Sequence, residues 1–468
     1  MSKKTRIAIF SILSALFLII APMAVMYSFG WRFDWQTKKI IQPGMMYFRT
    51  APKGSQIYVD GEAKKRTDVL FGSALIENIM PGTYEVEIRR EGYHSWIKNL
   101  QVFKRQVTSA ENVTLIPQNL NISSLSENVA DFFFSPDKKK IILKEINESG
   151  EWSLKLIDAQ KSIKSHLLSR QDLKLGALTP KSSAEIGNAD LINLEFSQDS
   201  KRILLAVGAK EKIYYFVLSI DNKKLVSFEF LEQSPEKIFF SPDSQANLLV
   251  MSEKEIREAD PVKKELSPAL IKNVITAATS GGNIYYIDEE GFIFKTNASG
   301  SGKERINIIP FRIEQETEYE LSTVNNRILL RENSALYIFD QDKASFEKLL
   351  EPSKEFTASR NPDKIAYYNE HEIWIMFLGR KYEQPAKGPG DKVFINRFSE
   401  NIGDVFWYTD HYIIFSLGDK IKVAEIDDRD KINIIDVAEF KSPKIFFADK
   451  KLYILSENTL HASSELIP

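Results

Sequence analysis

From Gln118 onward one phrase keeps returning: an aromatic strand, a turn built on Pro-Asp or its relics, then a second apolar strand. It reads Phe132-Phe133-Phe134-Ser135-Pro136-Asp137 ahead of Ile141-Ile142-Leu143, and Leu194-Glu195-Phe196-Ser197-Gln198-Asp199 ahead of Ile203-Leu204-Leu205. A third copy is Ile238-Phe239-Phe240-Ser241-Pro242-Asp243 ahead of Leu248-Leu249-Val250. Weaker copies follow at Gly281-Gly282, Asn325-Asn326, Asn361-Pro362-Asp363, Thr409-Asp410 and Ala448-Asp449, which makes eight turns. A short unit of this kind cannot bury its own apolar surface. It must pack against its neighbours in an array.

The turns are about 38 to 47 residues apart after a first interval of about 62, close to the spacing of four-stranded propeller blades. The long interval holds residues 160–190, polar and poor in aromatics, which reads as an insertion. A third strand ends at Asp158, Asp221, Asp260, Asn297, Asp340 or Asp427, and in the sixth unit at Leu378-Gly379. The pattern predicts a mainly β chain in which residues 118–468 form a β-propeller of eight blades, with seven as the alternative. The last unit, Lys444 to Ser463, has room for three strands. The segment Leu120 to Leu125 is expected to add the fourth and so remove two exposed edges. These units resemble the TolB-like and WD-repeat propellers, in which a Ser-Pro-Asp-Gly-Lys turn joins the first two strands of a blade. Lys138, Ser200 and Ser244 stand where that family has Gly. The resemblance implies an architecture and no particular activity.

Residues 45–117 have a different texture, short strands punctuated by Gly. Gln56-Ile57-Tyr58-Val59 runs into Asp60-Gly61, a hairpin signal because both turn positions tolerate positive φ. After Pro81-Gly82, Tyr84-Glu85-Val86-Glu87-Ile88 alternates apolar and acidic residues, the period of a half-buried strand. This segment resembles the PEGA domain family. Pro52-Lys53-Gly54-Ser55 matches its Pro-x-Gly-Ala signature with Ser in the last place. Val59-Asp60-Gly61, Pro81 to Tyr84 and Gly92 to Trp96 match three further motifs. The resemblance implies a small β-sandwich of envelope proteins, tied to surface binding or spacing, without catalytic residues. Tyr84, Tyr93 and Trp96 are expected in its core.

Ahead of that module, Ile7 to Tyr27 carries no charge, about the 20 residues needed to cross a hydrocarbon core of roughly 30 Å. Lys3, Lys4 and Arg6 crowd its N-terminal flank and predict a cytoplasmic N-terminus. Trp31, Phe33 and Trp35 are placed as an interfacial aromatic belt. A cleavable signal peptide has a shorter apolar region and an A-x-A-like site, which Pro22-Met23-Ala24 matches poorly. The expected layout is therefore a tail and transmembrane anchor at 1–30, a juxtamembrane linker at 31–44, the PEGA-like sandwich, then the propeller. The large domains lie outside the cytoplasm and the chain is a single-pass protein of the cell membrane.

Composition narrows function by exclusion. With no cysteine, disulfides, thiolate catalysis and Cys-based zinc sites are excluded. A net charge of −2 gives no reason to expect a nucleic-acid partner. Of the five histidines, His411 is placed in a turn between first and second strands and His371 in a turn between second and third. Those turns face opposite ends, and His94, His166 and His461 lie elsewhere, so no metal site is expected. Ala298-Ser299-Gly300-Ser301-Gly302-Lys303 lacks the Gly and the Ser or Thr that a phosphate loop needs at its ends. Asp427, Asp428 and Asp430 lack the Gly and distal Glu of a calcium loop and read as turn residues. Catalytic, cofactor-binding and metal residues are expected to be none, and ligand-binding residues stay unknown. The reading is a membrane-anchored binding or scaffolding protein that presents a surface to an envelope protein or a glycan. The alternative is a carboxylate-dependent glycan-processing enzyme with a site over the propeller channel.

Overall fold

The computed structural model describes residues 3–34, 38–159, 163–176, 189–209, 212–231, 235–242, 247–324 and 327–466. Trp35, Asp243, Ser244, Asn325 and Asn326 lie outside the described residues, as does much of the 160–190 segment. Lys3–Ser28 is one 26-residue helix with none of its side chains buried and Pro22 inside it. At 1.5 Å per residue it is about 39 Å long, enough for a membrane span or a signal anchor. A two-stranded hairpin, Arg32–Asp34 with Lys39–Ile41, follows it.

The next unit is a two-layer sandwich. Gly44–Ala51 pairs antiparallel with Ser73–Ile79 and parallel with Val107–Thr114. Gln56–Val59, Glu62–Arg66, Gly82–Arg89 and Trp96–Val102 form the facing sheet. Alternation dictates the core, as Ile57, Val86, Ile88, Trp96 and Leu100 point inward to meet Met46 and Phe48. The Asp60-Gly61 turn forms as its sequence demands, with φ of 50° and 78°. Trp96 is 3% exposed, while Tyr84 and Tyr93 pack half-buried against the same core.

Seven antiparallel meanders then follow in chain order. Their first strands are Val129–Phe134, Asp190–Phe196, Lys237–Phe240, Val274–Ser280, Tyr319–Val324, Glu355–Ala358 and Ile402–Thr409. Each of the eight sequence turns sits between the first two strands of a sheet. An eighth sheet takes Lys444–Ala448, Lys451–Ser456 and Thr459–Ser463, and its fourth strand is Ile122–Glu127, paired from the other end of the region.

The Ser-Pro-Asp turn explains itself in hydrogen bonds. Ser135 Oγ donates to Asp137 Oδ1 at 2.6 Å and accepts from Lys140 N at 3.0 Å. Ser197 repeats this with Asp199 and Arg202. Lys138 and Ser200 hold φ of 61° and 58°. Both therefore adopt the left-handed conformation for which the family uses Gly. The 160–190 reading needs correction at its start. Lys164–Ser169 is the fourth strand of the first sheet, and Arg170–Gly176 is a short helix.

Apolar clusters join each sheet to the next. Trp152 and Phe216 belong to the cluster between the first and second sheets, and Phe377 and Phe415 to that between the sixth and seventh. Phe132 and Val129 meet Leu460 and Tyr453, so the eighth sheet packs on the first. Leu460 is fully buried there on the strand that pairs with Ile122–Glu127. Leu460→Ala is expected to cost about 2–5 kcal/mol by leaving a cavity at this contact. The control Ile163→Ala, at a side chain 61% exposed, is expected to cost under about 0.5 kcal/mol. Urea-unfolding midpoints of the full chain in detergent check both.

Candidate functional site

The first strands of the second to sixth sheets wall one cavity of about 730 Å³. Residues of these strands and of the turns that follow them line this space. Glu195, Lys237 and Glu320 bring charge, Phe196, Phe240 and Phe356 bring ring faces, and Ser322 and Thr323 bring hydroxyls. Lys237 Nζ donates to the Ala277 carbonyl at 2.8 Å. Burial by the cavity walls pushes the Lys237 ammonium down from its ordinary value, against the pull of Glu320 and Glu195. Burial likewise pushes the Glu195 carboxyl up, with Lys237 opposing. Arg331 Nε lies 3.8 Å from Glu320.

The other arc is closed by side chains. Phe446 stacks on Phe134 with centroids 4.1 Å apart, and Phe406 lies 4.9 Å from Phe446. Lys444 Nζ donates to Asp131 Oδ1 at 2.5 Å. Asp404 accepts from Ile445 N at 2.9 Å, and burial raises its carboxyl. Carboxylates therefore stand on several first strands, each beside a cation or a backbone donor.

A second polar centre lies where the sandwich meets the sixth and seventh sheets. Along Trp96–Val102 the buried positions are Trp96, Lys98, Leu100 and Val102. Lys98 thus occupies an apolar position in the pattern. Its ammonium, fully buried, pairs with Glu425 Oε1 at 2.7 Å and donates to the Asp427 carbonyl at 2.5 Å. Trp96 Nε1 donates to Glu425 Oε2 at 2.7 Å. Asn433 N and Nδ2 donate to Glu425 Oε1 at 3.0 and 2.8 Å. Burial pushes the Glu425 carboxyl up, and Lys98 pulls it back.

Around this pair the two units exchange further bonds. Arg429 holds Asp427 at 2.6 Å and donates to the Ser109 carbonyl at 2.7 Å. Asp430 accepts from Asn99 N at 2.8 Å, and Asp428 pairs with Lys387 at 2.6 Å. Gln384 accepts from Ser109 N at 3.0 Å, and Tyr412 Oη accepts from Thr114 N at 3.0 Å. Of the aspartates read as turn residues, Asp427 and Asp430 therefore help clamp the sandwich, while Asp428 pairs with Lys387 of the sixth sheet's loop. The spacer expected from the sequence is a docked module, because a buried charge must meet its partner.

His411 and His371 lie in the two kinds of turn assigned to them, at opposite ends of their sheets. His166 is on an outer strand 3.2 Å from Asp172, and His461 packs beside Phe440. Among the described residues no group of three His, Asp or Glu side chains is arranged to hold a metal. Asn297 accepts from Ser299 N and Ser301 N, so the glycine-serine run is a turn folded on its own side chains.

The fold is mainly β with a propeller-like set of sheets, and the comparisons with known proteins bear on its parts. A family model described as the PEGA domain matches residues 44–118. Several solved structures are similar to the chain at the level of fold. The Dos1 propeller shares 12% identity at a TM-score of 0.47, over 74% of this chain and 95% of that one. The WD40 domain of SCAP from fission yeast shares 12% identity at a TM-score of 0.47, over 75% and 96%. The computationally designed Ika8 protein shares 12% identity at a TM-score of 0.45, over 74% and 99%. No curated protein matches the chain.

Glu425→Gln removes the 2.7 Å partner of buried Lys98, leaving only the Asp427 carboxylate 3.8 Å away, and is expected to cost about 3–5 kcal/mol. Lys98→Met in the same chain is expected to restore most of it, since the amide still accepts from Trp96. Urea midpoints and the rate of proteolysis at residues 115–121 check the pair. His411 lines the same junction, and burial with the charges of Lys364 and Lys381 pushes its imidazole down to about 4. Glu383 and Asp363 pull the other way, and Glu425, Asp427 and Arg429 share the cavity. Unfolding returns His411 to 6.5, so between those values the unfolded chain binds the extra proton. Stability contributed by neutral His411 is present above pH 6.5 and is lost as the pH falls towards 4, up to about 3 kcal/mol. His411→Gln is expected to flatten that window in urea midpoints taken from pH 7 to pH 4.

Proposed function

We propose that this chain is a membrane-anchored binding or scaffolding protein of the cell envelope, its β region outside the cytoplasm. In this reading the eight sheets close into a propeller, with Ile122–Glu127 and Thr459–Ser463 as the clasp, and the PEGA-like sandwich fixes that propeller against the anchor. The cavity walled by five first strands carries the reading. It offers ring faces, hydroxyls and charges of both signs from separate sheets, which suits an extended polar ligand such as a glycan strand or a peptide segment. Charge at Lys3, Lys4 and Arg6 ahead of the apolar helix supports the orientation.

A second reading has one specific observation behind it. Glu195, whose carboxyl is raised by burial against the pull of Lys237, stands in the cavity where an acid–base carboxylate could meet a ligand. That is what a glycan-processing enzyme needs. One experiment separates the readings. A photo-crosslinking residue at Ser322 in intact cells is expected to yield adducts with an extracytoplasmic glycan or envelope protein, and the same residue at Val262 to yield none. Adducts confined to cytoplasmic components, or none at Ser322, overturn the proposal. Turnover of an envelope glycan by the purified chain, abolished by Glu195→Gln with the adduct retained, decides for the enzyme.

A further inference from the structure

The segment Val69-Leu70-Phe71 leaves the sandwich as a loop tip whose three side chains are 76%, 71% and 72% exposed. Three adjacent large apolar residues at such exposure are unusual on a folded surface. The loop is held firmly. The Asp68 carboxylate accepts from Leu70 N, Phe71 N and Ser73 N at 2.9, 2.6 and 2.8 Å and from Ser73 Oγ at 2.6 Å. Lys53 Nζ donates to the Leu70 carbonyl at 2.7 Å. Gly72 closes the turn at φ +72°, where a Cβ would stand 2.5 Å from the Thr50 carbonyl oxygen. Presenting the tip therefore costs little ordering on binding.

Beyond Asp68, whose carboxylate the loop's own hydrogen bonds take up, the charges in the cleft beside the tip are cations. Val69 and Phe71 share a cleft of about 510 Å³ with Arg49, Lys53 and Arg90, and no carboxylate lines it. Lys65 and Arg66 stand exposed on the neighbouring strand. Among the described residues none of these five cations forms an ion pair. Only 15 residues separate Ser28, where the anchor helix ends, from Gly44, where the sandwich begins. That tether spans about 55 Å at most, and the Arg32–Ile41 hairpin shortens it. We infer that Val69-Leu70-Phe71 is a membrane finger. Its side chains enter the headgroup boundary of the anchoring bilayer while Arg49, Lys53 and Arg90 contact anionic lipid phosphates. The sandwich would then be seated on the bilayer and the docked sheets held at a fixed attitude. This inference rests on the membrane-anchored reading above.

The chain has no cysteine, so Leu70→Cys gives a single labelling site. The full chain is labelled there with an environment-sensitive fluorophore and reconstituted into phosphatidylcholine vesicles with or without phosphatidylglycerol. Val262→Cys, at a side chain 87% exposed, is the water-facing control. Expected in anionic vesicles are a blue-shifted Leu70 label, several-fold weaker quenching by iodide than at Val262, and quenching by lipid-borne probes. Arg49→Glu with Arg90→Glu should return the label to water. A Leu70 label as open to iodide as Val262 in chains that float with the vesicles overturns the finger and leaves the anchor standing. Protection that disappears when the chain is diluted in the bilayer marks a second copy as the occupant and also overturns it. Chains that fail to float, or that alkali extracts, overturn both readings.

Discussion

The pairing of Ile122–Glu127 with Thr459–Ser463 is the contact on which the arrangement depends. Each sheet in this region exposes two faces, and a strand array without closure leaves two unpaired edges as templates for association. Here the strand that begins the region completes the sheet that ends it, and Leu460 packs against Val129 and Phe132 of the first sheet. The apolar clusters then form a cycle in which every sheet has two neighbours. No sheet is stable alone, since its burial is supplied by those on either side. That is the energetic logic of stacked repeats, with end caps replaced by each other.

The side-by-side packing of these sheets also explains why polar groups collect where they do. First strands of neighbouring sheets stand together along the cavity, and side chains from five of them line it. The central positions cannot all be apolar without leaving backbone carbonyls such as that of Ala277 short of donors. Lys237 satisfies that carbonyl, and Lys354 does the same for Ile402 and Gly403. Carboxylates stand beside cations here as well, Glu195 near Lys237 and Glu320 near Arg331. The charged cavity thus follows from the geometry of the array before any ligand selects it.

Much of this was legible in the sequence, for identifiable reasons. Turn chemistry is local, so Ser135-Pro136-Asp137 announced its hairpin through hydrogen bonds made within five residues, and Asp60-Gly61 through its tolerance of positive φ. The fourth strand of the last sheet followed from counting strands against chain length. The segment 160–190 misled because polarity marks both an outer strand and an insertion, and Lys164–Ser169 is such a strand. The central cavity was invisible because its walls are about 40 residues apart in sequence, one from each unit. Lys98 was different, since a lysine on the inward register of Trp96–Val102, between Trp96 and Leu100, violates the alternation that the rest of the strand obeys. That breach was the available signal of a buried partner, and Glu425 closing the strand Lys420–Glu425 was its counterpart.

The docked sandwich limits how the sheets can move relative to the N-terminal segment. A module on a flexible tether leaves the sheets free to tumble, whereas the Lys98–Glu425 pair fixes orientation at the expense of desolvating two charges. Such a pair is weak evidence for stability, because well-packed apolar residues serve that purpose better. What it supplies is a unique register. Trp96, Asn99, Ser109 and Thr114 find their partners on the sixth and seventh sheets only when both charges meet. The cavity is walled by sheets two to six, so the grip and the cavity occupy largely separate arcs of one array. An arrangement that spends buried charge on attitude makes physical sense where the direction of the cavity relative to the rest of the chain matters.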